Sequence, residues 1–197
     1  MLVVNPSLPA RTLAEFTHYV RGHNGELNYA SAGNGSSMHL AGELYQAMTG
    51  TRMLHVPYVS PGAATADTIA NRTQLIFHLV PAVAQQVLAG QLRALAVLSP
   101  TRASVLPEVP TTKEAGMPGL EAGTWYTVLA PVGTPRAIVD RLNHQINASL
   151  KEPAFRKRVQ DLGVTPLGGA PEEVTSYVAS ESARWSAVIK AAGIGMN

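Results

Sequence analysis

Apolar residues follow two spacings along the first half of the chain. Short apolar runs that predict buried strands occur at residues 2–5, from residue 27, and at 53–56, 74–77 and 93–98. Between them, apolar residues recur at helical spacing, as in the stripe Ala41, Leu44, Tyr45 and Met48. Strands that alternate with helices predict an α/β fold in which a parallel sheet carries helices on both faces.

The pattern changes after residue 99. Residues 100–119 are rich in Pro, Thr and Glu and predict a long surface connection, followed by a strand at 125–130. Three helices are predicted to begin at Thr134-Pro135, Pro153 and Pro171. In the first of them Ile138, Val139, Leu142 and Ile146 should face inward. The apolar residues of the last helix favour a core role over a ligand platform; they are Val174, Tyr177, Val178, Trp185, Val188 and Ile189.

A glycine-rich turn joins the second strand to its helix and is the main candidate for chemistry. Gly33 and Gly35 allow backbone angles that a side chain would disfavour, and Ser36 or Gly35 can cap the helix. Unpaired N–H groups and the helix dipole at such a turn favour an anion. A dinucleotide fingerprint fails because Met38 occupies the third glycine position, and no Lys follows as in a nucleotide P-loop. Two interpretations of this turn remain: a binding site for a carboxylate, and a capped turn without a ligand.

Composition narrows the function classes. Charged residues make up 14% of the 197 residues, and the formal charge is only +2, so nucleic acid is a poor candidate partner. There is no cysteine, and no apolar run reaches the ~20 residues of a membrane span. No cofactor motif and no H-x-x-x-H or H-E-x-x-H metal spacing is present, so we expect neither a cofactor nor a metal. The first residues do not resemble a signal peptide.

Five segments of the chain occur in the order of a known family. They are LNYASAGNGSSMHLAGELYQAMTG, HVPY, GQLRALAVLSPTRASVLPEVPTTKEAGMPG, APVGTP and RWSAVIKAAGI. Together they resemble the Bug family of extracytoplasmic solute receptors, the binding proteins of tripartite tricarboxylate transporters. The resemblance implies a two-lobed fold of the type II periplasmic-binding-protein kind. Residues 1–130 would form the second, ligand-binding lobe, and residues 131–197 would form helices that return to a first lobe, most of which is expected to be missing here.

The resemblance also implies a binding site. The turn residues Ala32, Gly33, Asn34, Gly35, Ser36 and Ser37 would hold a ligand carboxylate, and Pro57 and Tyr58 would line the cleft. His78 stands where many members carry Asp, which leaves a neutral or anionic solute more plausible than an amino acid. The implied partners are a small organic carboxylate and the membrane components of a tripartite transporter. The implied compartment is the periplasm, or the cytoplasm if Met1 is the native start.

Two other functions compete with a solute receptor, and one assembly is expected. No catalytic residue is assigned, but Ser36 or Ser37 with His39, His55 or His78 and with Asp67 supplies the residue types of a small esterase-like hydrolase. The other rival is an interaction module that does not bind a ligand. Because the helices after Pro135 should lack part of their usual cover, we expect a homodimer formed mainly through them.

Overall fold

The computed structural model describes residues 1–161 and 163–195 and contains two compact units. The first unit comprises residues 1–124 together with the residues from 187 onward, and the second is Trp125–Ser186. The predicted division into a lobe of residues 1–130 and helices of residues 131–197 refers to the two-lobed family fold, and it stays a prediction.

The first unit is built on one five-stranded sheet. Its strands, in the order β3-β2-β4-β1-β5, are β1 (Leu2–Val4), β2 (Asn28–Ser31), β3 (Leu54–Pro57), β4 (Leu75–Phe77) and β5 (Arg93–Ala96). β2 runs parallel to β3 and β4, which confirms the predicted α/β class. The prediction of a parallel sheet was wrong for β1, which runs antiparallel to both β4 and β5. Since β1 inserts between two strands from later in the chain, strand and helix alternation does not specify its direction.

Helices cover both faces of this sheet, as predicted. They are α1 (Leu13–Gly22), α2 (Ser37–Thr49), α3 (Pro61–Ile69) and α4 (Val80–Leu88). Successive strand residues point to opposite faces. Leu75 and Phe77 therefore pack with α1 and α2, whereas Ile76 packs with α3 and α4. Thr12 is the N-cap of α1, because its side chain accepts a hydrogen bond from Glu15 N.

The second unit contains α5 (Arg136–Lys151), α6 (Pro153–Asp161) and the part of α7 (Pro171–Ala191) that ends at Ser186. The predicted strand at residues 125–130 is wrong. This segment has no regular structure, and Tyr126, Val128 and Leu129 are exposed. Apolar residues favour a strand only when a neighbouring strand pairs with them, and the described residues supply none here.

The apolar stripes of α5 and α7 are not buried. No residue of either helix is buried, and Ile138, Leu142, Ile146 and Tyr177 remain 38 to 50% exposed. The expectations that the α5 stripe faces inward and that the α7 stripe is core were therefore wrong for this chain. Helical spacing predicts which face of a helix is apolar, but not whether another layer covers that face. None of the described helices has the length and apolarity that a membrane crossing needs.

Candidate functional site

The glycine turn, residues 32–37, lies between β2 and α2 as the sequence predicts. Gly33 and Gly35 have φ values of 110° and 72°, in the region that favours glycine. Ser36 is the N-cap of α2, because its side chain accepts a hydrogen bond of 3.3 Å from His39 N. The turn therefore combines two left-handed glycines with a capped helix start.

Two backbone donors of the turn are used inside the protein. Gly33 N donates to Ser31 Oγ at 3.1 Å, and Gly35 N donates to His39 Nδ1 at 3.0 Å. These two N–H groups are thus not available to a ligand in this structure. The Gly35 N–H, on which the anion site was expected to draw, instead fixes the shape of the turn.

Other donors in the turn and at the start of α2 differ in this respect. Within the described residues, the N–H groups of Asn34, Ser37 and Met38 have no protein acceptor. Ser37 Oγ accepts from Thr124 Oγ1 at 3.5 Å, so its own hydroxyl proton remains available. Asn34 and Ser37 are also exposed. Because the first N–H groups of a helix lack intrahelical acceptors and carry the positive end of the dipole, this edge of the turn can receive an anion.

Pro57 and Tyr58 lie beside the turn. Ser31 pairs with Pro57 across β2 and β3, and Tyr58 N donates to Ser31 O at 2.9 Å. A Cβ atom on Gly33 would lie 3.8 Å from Tyr58 O. The parallel pairing of β2 with β3 therefore brings together two segments that the sequence keeps more than twenty residues apart.

The side chain of Tyr58 is held by Asp67 from α3. Its hydroxyl donates to Asp67 Oδ2 at 2.8 Å, while Arg72 pairs with Asp67 Oδ1 at 2.7 Å. The hydrogen bond from Tyr58 and the pairing with Arg72 lower the pKa of Asp67. Partial burial and the bond to Asp67 raise the pKa of Tyr58. Tyr58 thus presents a neutral phenol beside the glycine turn.

His78 follows β4 at the same edge of the sheet, since β4 runs parallel to β2. It is buried, and its Nδ1 accepts a hydrogen bond of 2.7 Å from Leu79 N. Burial lowers the pKa of His78 to about 4. The residue in this position is therefore a neutral imidazole near pH 7, and it brings no charge to a bound solute.

A polar cluster lies under the turn, and the sequence analysis did not predict the contacts within it. His39 from α2 and His55 from β3 stack with ring centroids 3.7 Å apart and planes 4° apart. His55 Nε2 lies 2.6 Å from Ser31 Oγ, and His39 Nε2 lies 3.6 Å from Glu43 Oε1. The signal in the sequence was a histidine at a position that a helix should bury and another at a position that a strand should bury. This signal did not show that His39 and His55 would contact each other.

The residues of the alternative hydrolase are not assembled as a triad. Ser36 caps α2, and Ser37 contacts Thr124. Within the described residues, no imidazole is hydrogen-bonded to either serine hydroxyl. Ser31 does contact the His55 imidazole, but it is fully buried and its Oγ is already bonded to Gly33. The described residues also include no group of three or more His, Asp or Glu placed to hold a metal ion.

Comparison with known proteins decides the family. The family model described as TctC, the tripartite tricarboxylate transporter family receptor, matches residues 1–194. The chain belongs to this family. The resemblance found in the sequence is thereby confirmed.

Three known proteins illustrate what this chain is similar to. BugT of Bordetella pertussis is 34% identical over 193 residues, covering 98% of this chain and 59% of BugT. A solved R. palustris protein, Rpa4515 with adipate, is 37% identical at a TM-score of 0.86, with 99% of this chain and 65% of that chain covered. MatC from Rhodopseudomonas palustris with bound malate is 30% identical at a TM-score of 0.77, with 96% and 65% covered. This TctC chain spans between 56 and 60% of the length of four curated relatives that it matches.

Proposed function

We propose that this TctC chain is a solute-binding part of a receptor for small organic carboxylates and that the glycine turn receives a ligand carboxylate. The observation that carries the proposal is the free N–H groups of Asn34, Ser37 and Met38 at the start of α2. A carboxylate accepts hydrogen bonds only, so such donors suit it, and the helix dipole adds a favourable field. Pro57 and Tyr58 would line the site beside the turn.

The charges near the turn favour a solute that lacks an ammonium group. Burial keeps His78 neutral, because it lowers the pKa of this side chain to about 4. Two carboxylates lie near the turn, and both are already engaged: Asp67 by Tyr58 and Arg72, and Glu43 by Tyr29 and Gln46. An amino-acid ligand would bring a cation that finds no free carboxylate there, whereas a dicarboxylate would not.

Two similar proteins suggest the ligand class. The solved R. palustris protein carries adipate, and MatC carries malate; both ligands are dicarboxylates. We propose dicarboxylates of this size as ligands of this chain. By family, its place of action would be the periplasm, and its partners would be the membrane components of a tripartite tricarboxylate transporter.

Calorimetry tests this function. Adipate and malate would be titrated at about pH 7.5, and their dimethyl esters would serve as controls that keep the carbon skeleton but remove the charge. We expect heat of binding for at least one dicarboxylate and none for its ester. Absence of binding by every dicarboxylate tested, or equal binding of acid and ester, would contradict the proposal.

We also propose that the chain self-associates through the α5 face, defined as Ile138, Leu142 and Ile146. These side chains are 49, 50 and 38% exposed, and Phe155 of α6 is 46% exposed. Apolar side chains at helical spacing on an exposed helix favour packing against a second apolar surface. A second copy of the chain offers the same face, and a two-fold dimer would cover both.

A further inference from the structure

Each glycine of the turn is connected to one histidine beneath it. Gly35 N donates directly to His39 Nδ1 at 3.0 Å. Gly33 is linked through Ser31, whose Oγ contacts both N and O of Gly33 at 3.1 Å and lies 2.6 Å from His55 Nε2. Because the two imidazoles also stack on each other, the turn rests on a single joined support, which we call the histidine brace.

We propose that His39 and His55 are positioning residues that hold the two glycines of the turn, and that carboxylate binding requires His39 Nδ1 as the acceptor of the Gly35 N–H. This inference rests on the proposed function, because it concerns the same turn. The brace does not touch the ligand. It fixes the backbone angles of Gly33 and Gly35, and these in turn aim the free N–H groups that follow.

The hydrogen bond from Gly35 fixes the protonation of His39. A neutral imidazole has one donor and one acceptor nitrogen, so Nδ1 must be the acceptor and Nε2 must carry the proton. That proton faces Glu43, whose Oε1 also accepts from Tyr29 at 2.5 Å and from Gln46 at 2.7 Å. A second proton on His39 would occupy Nδ1 and place two donors face to face, which breaks the bond from Gly35.

Titratable groups surround the brace. Those that face it are Glu43 on α2 and Tyr29 on β2, besides the two histidines themselves. Burial, and the charge that His39 gains when protonated, lower the pKa of His55 to about 4. His55 therefore stays neutral in mild acid.

A matched pair of substitutions tests the role of Nδ1. His39→Asn places an oxygen acceptor where Nδ1 stands and does not titrate, whereas His39→Leu has nearly the same shape and no acceptor. At about pH 7.5 we expect His39→Asn to bind adipate within about threefold of wild type and His39→Leu to bind about tenfold more weakly. The same two substitutions at His18, which is exposed on α1, are controls and should leave binding unchanged. Wild-type affinity in a folded His39→Leu variant would overturn the inference.

A spectroscopic measurement separates the brace from the proposed function. Long-range proton–nitrogen NMR spectra of the ligand-free chain report which imidazole nitrogen of His39 carries the proton. We expect the proton on Nε2 at about pH 7.5, and a proton on Nδ1 would overturn the brace whatever the protein binds. If the proton is on Nε2 but wild type binds no carboxylate, the result confirms that the brace holds the turn. The proposed function and the role of the brace in binding would then both be wrong.

Discussion

The aromatic ring of Tyr29 lies directly against the backbone of Gly42. A Cβ atom built on Gly42 would come within 2.5 Å of the Tyr29 ring, closer than real side chains approach. Tyr29 is fully buried, and its hydroxyl donates to Glu43, so the ring cannot move aside without disturbing both contacts. Because glycine has no side chain, α2 can approach β2 closely at Gly42. This close approach sets the distance between the helix and the strand that carry the two histidines of the brace.

The first prediction follows from that contact. Gly42→Ala should destabilise the chain by roughly 1–3 kcal/mol, because overpacking outweighs the gain in helix propensity. Urea unfolding measures the change. Gly62→Ala in α3 is the control, since nothing lies within 4 Å of its added Cβ, and it should be neutral or stabilising. An equal response of the two variants would show that the Tyr29 contact does not constrain Gly42.

The second prediction concerns the glycine turn. Gly35→Val should weaken adipate binding more than it lowers stability, because a β-branched residue at a φ of 72° distorts the turn. Gly25→Val is the matched control: its φ is 88°, its added Cβ is equally free of neighbours, and it lies outside the turn. We expect both variants to lose about 1–2 kcal/mol in urea unfolding, and only Gly35→Val to lose affinity in calorimetry. Equal affinities would argue against the turn as the carboxylate site.

The third prediction concerns the orientation of Tyr58. Asp67→Ala removes the acceptor of the Tyr58 hydroxyl, so the phenol beside the turn is no longer fixed, and adipate affinity should fall about three- to tenfold. Arg72→Ala removes only the ion pair with Asp67 and should leave affinity nearly unchanged, since exposed ion pairs contribute little. Similar losses in the two variants would mean that the ion pair, and not the Tyr58 bond, matters for binding.

The fourth prediction is a dependence of stability on pH. Burial lowers the pKa of His55 and of His78 from 6.5 to about 4 in the folded chain. Between these values the unfolded chain binds more protons, so the stability that these two histidines contribute is full above about pH 6.5 and is lost as pH falls toward 4. Urea unfolding at several pH values within this window measures the slope.

Substitutions identify the groups responsible for that slope. The double variant His55→Gln and His78→Asn should show a weaker dependence on pH than wild type, because neither replacement titrates. His18→Asn is the control and should keep the wild-type slope, since His18 is exposed. A double variant with an unchanged slope would assign the pH dependence to other groups.

The fifth prediction concerns self-association through the α5 face. Sedimentation velocity at micromolar concentration should show a dimer, whose interface we expect to bury more than about 1,000 Å². The double substitution Ile138→Gln and Leu142→Gln should shift the protein toward monomer. Leu88→Gln, at a residue 64% exposed on α4, removes an exposed apolar side chain from another surface and should not. A monomeric wild type would show that this face is not an interface between copies.

Local signals in the sequence determined much of the fold. Apolar spacings and proline positions placed the five strands and seven helices of the described structure, together with one strand, at 125–130, that did not form; of the two cap candidates for α2, the structure uses Ser36. The glycine turn was also recognisable, because Gly33 and Gly35 must serve a backbone that other residues disfavour. These features depend on residues that are close together in the chain, and their physical causes act over a few residues.

Only the tertiary structure decided the features that depend on distant segments. The direction of β1 follows from its place between β4 and β5, and Leu142 is exposed because none of the described residues buries that face of α5. The stack of His39 on His55 arises because parallel pairing of β2 with β3 brings a strand histidine under a helix histidine. Periodicity assigns a residue to a face, but which partner meets that face depends on pairings between distant parts of the chain.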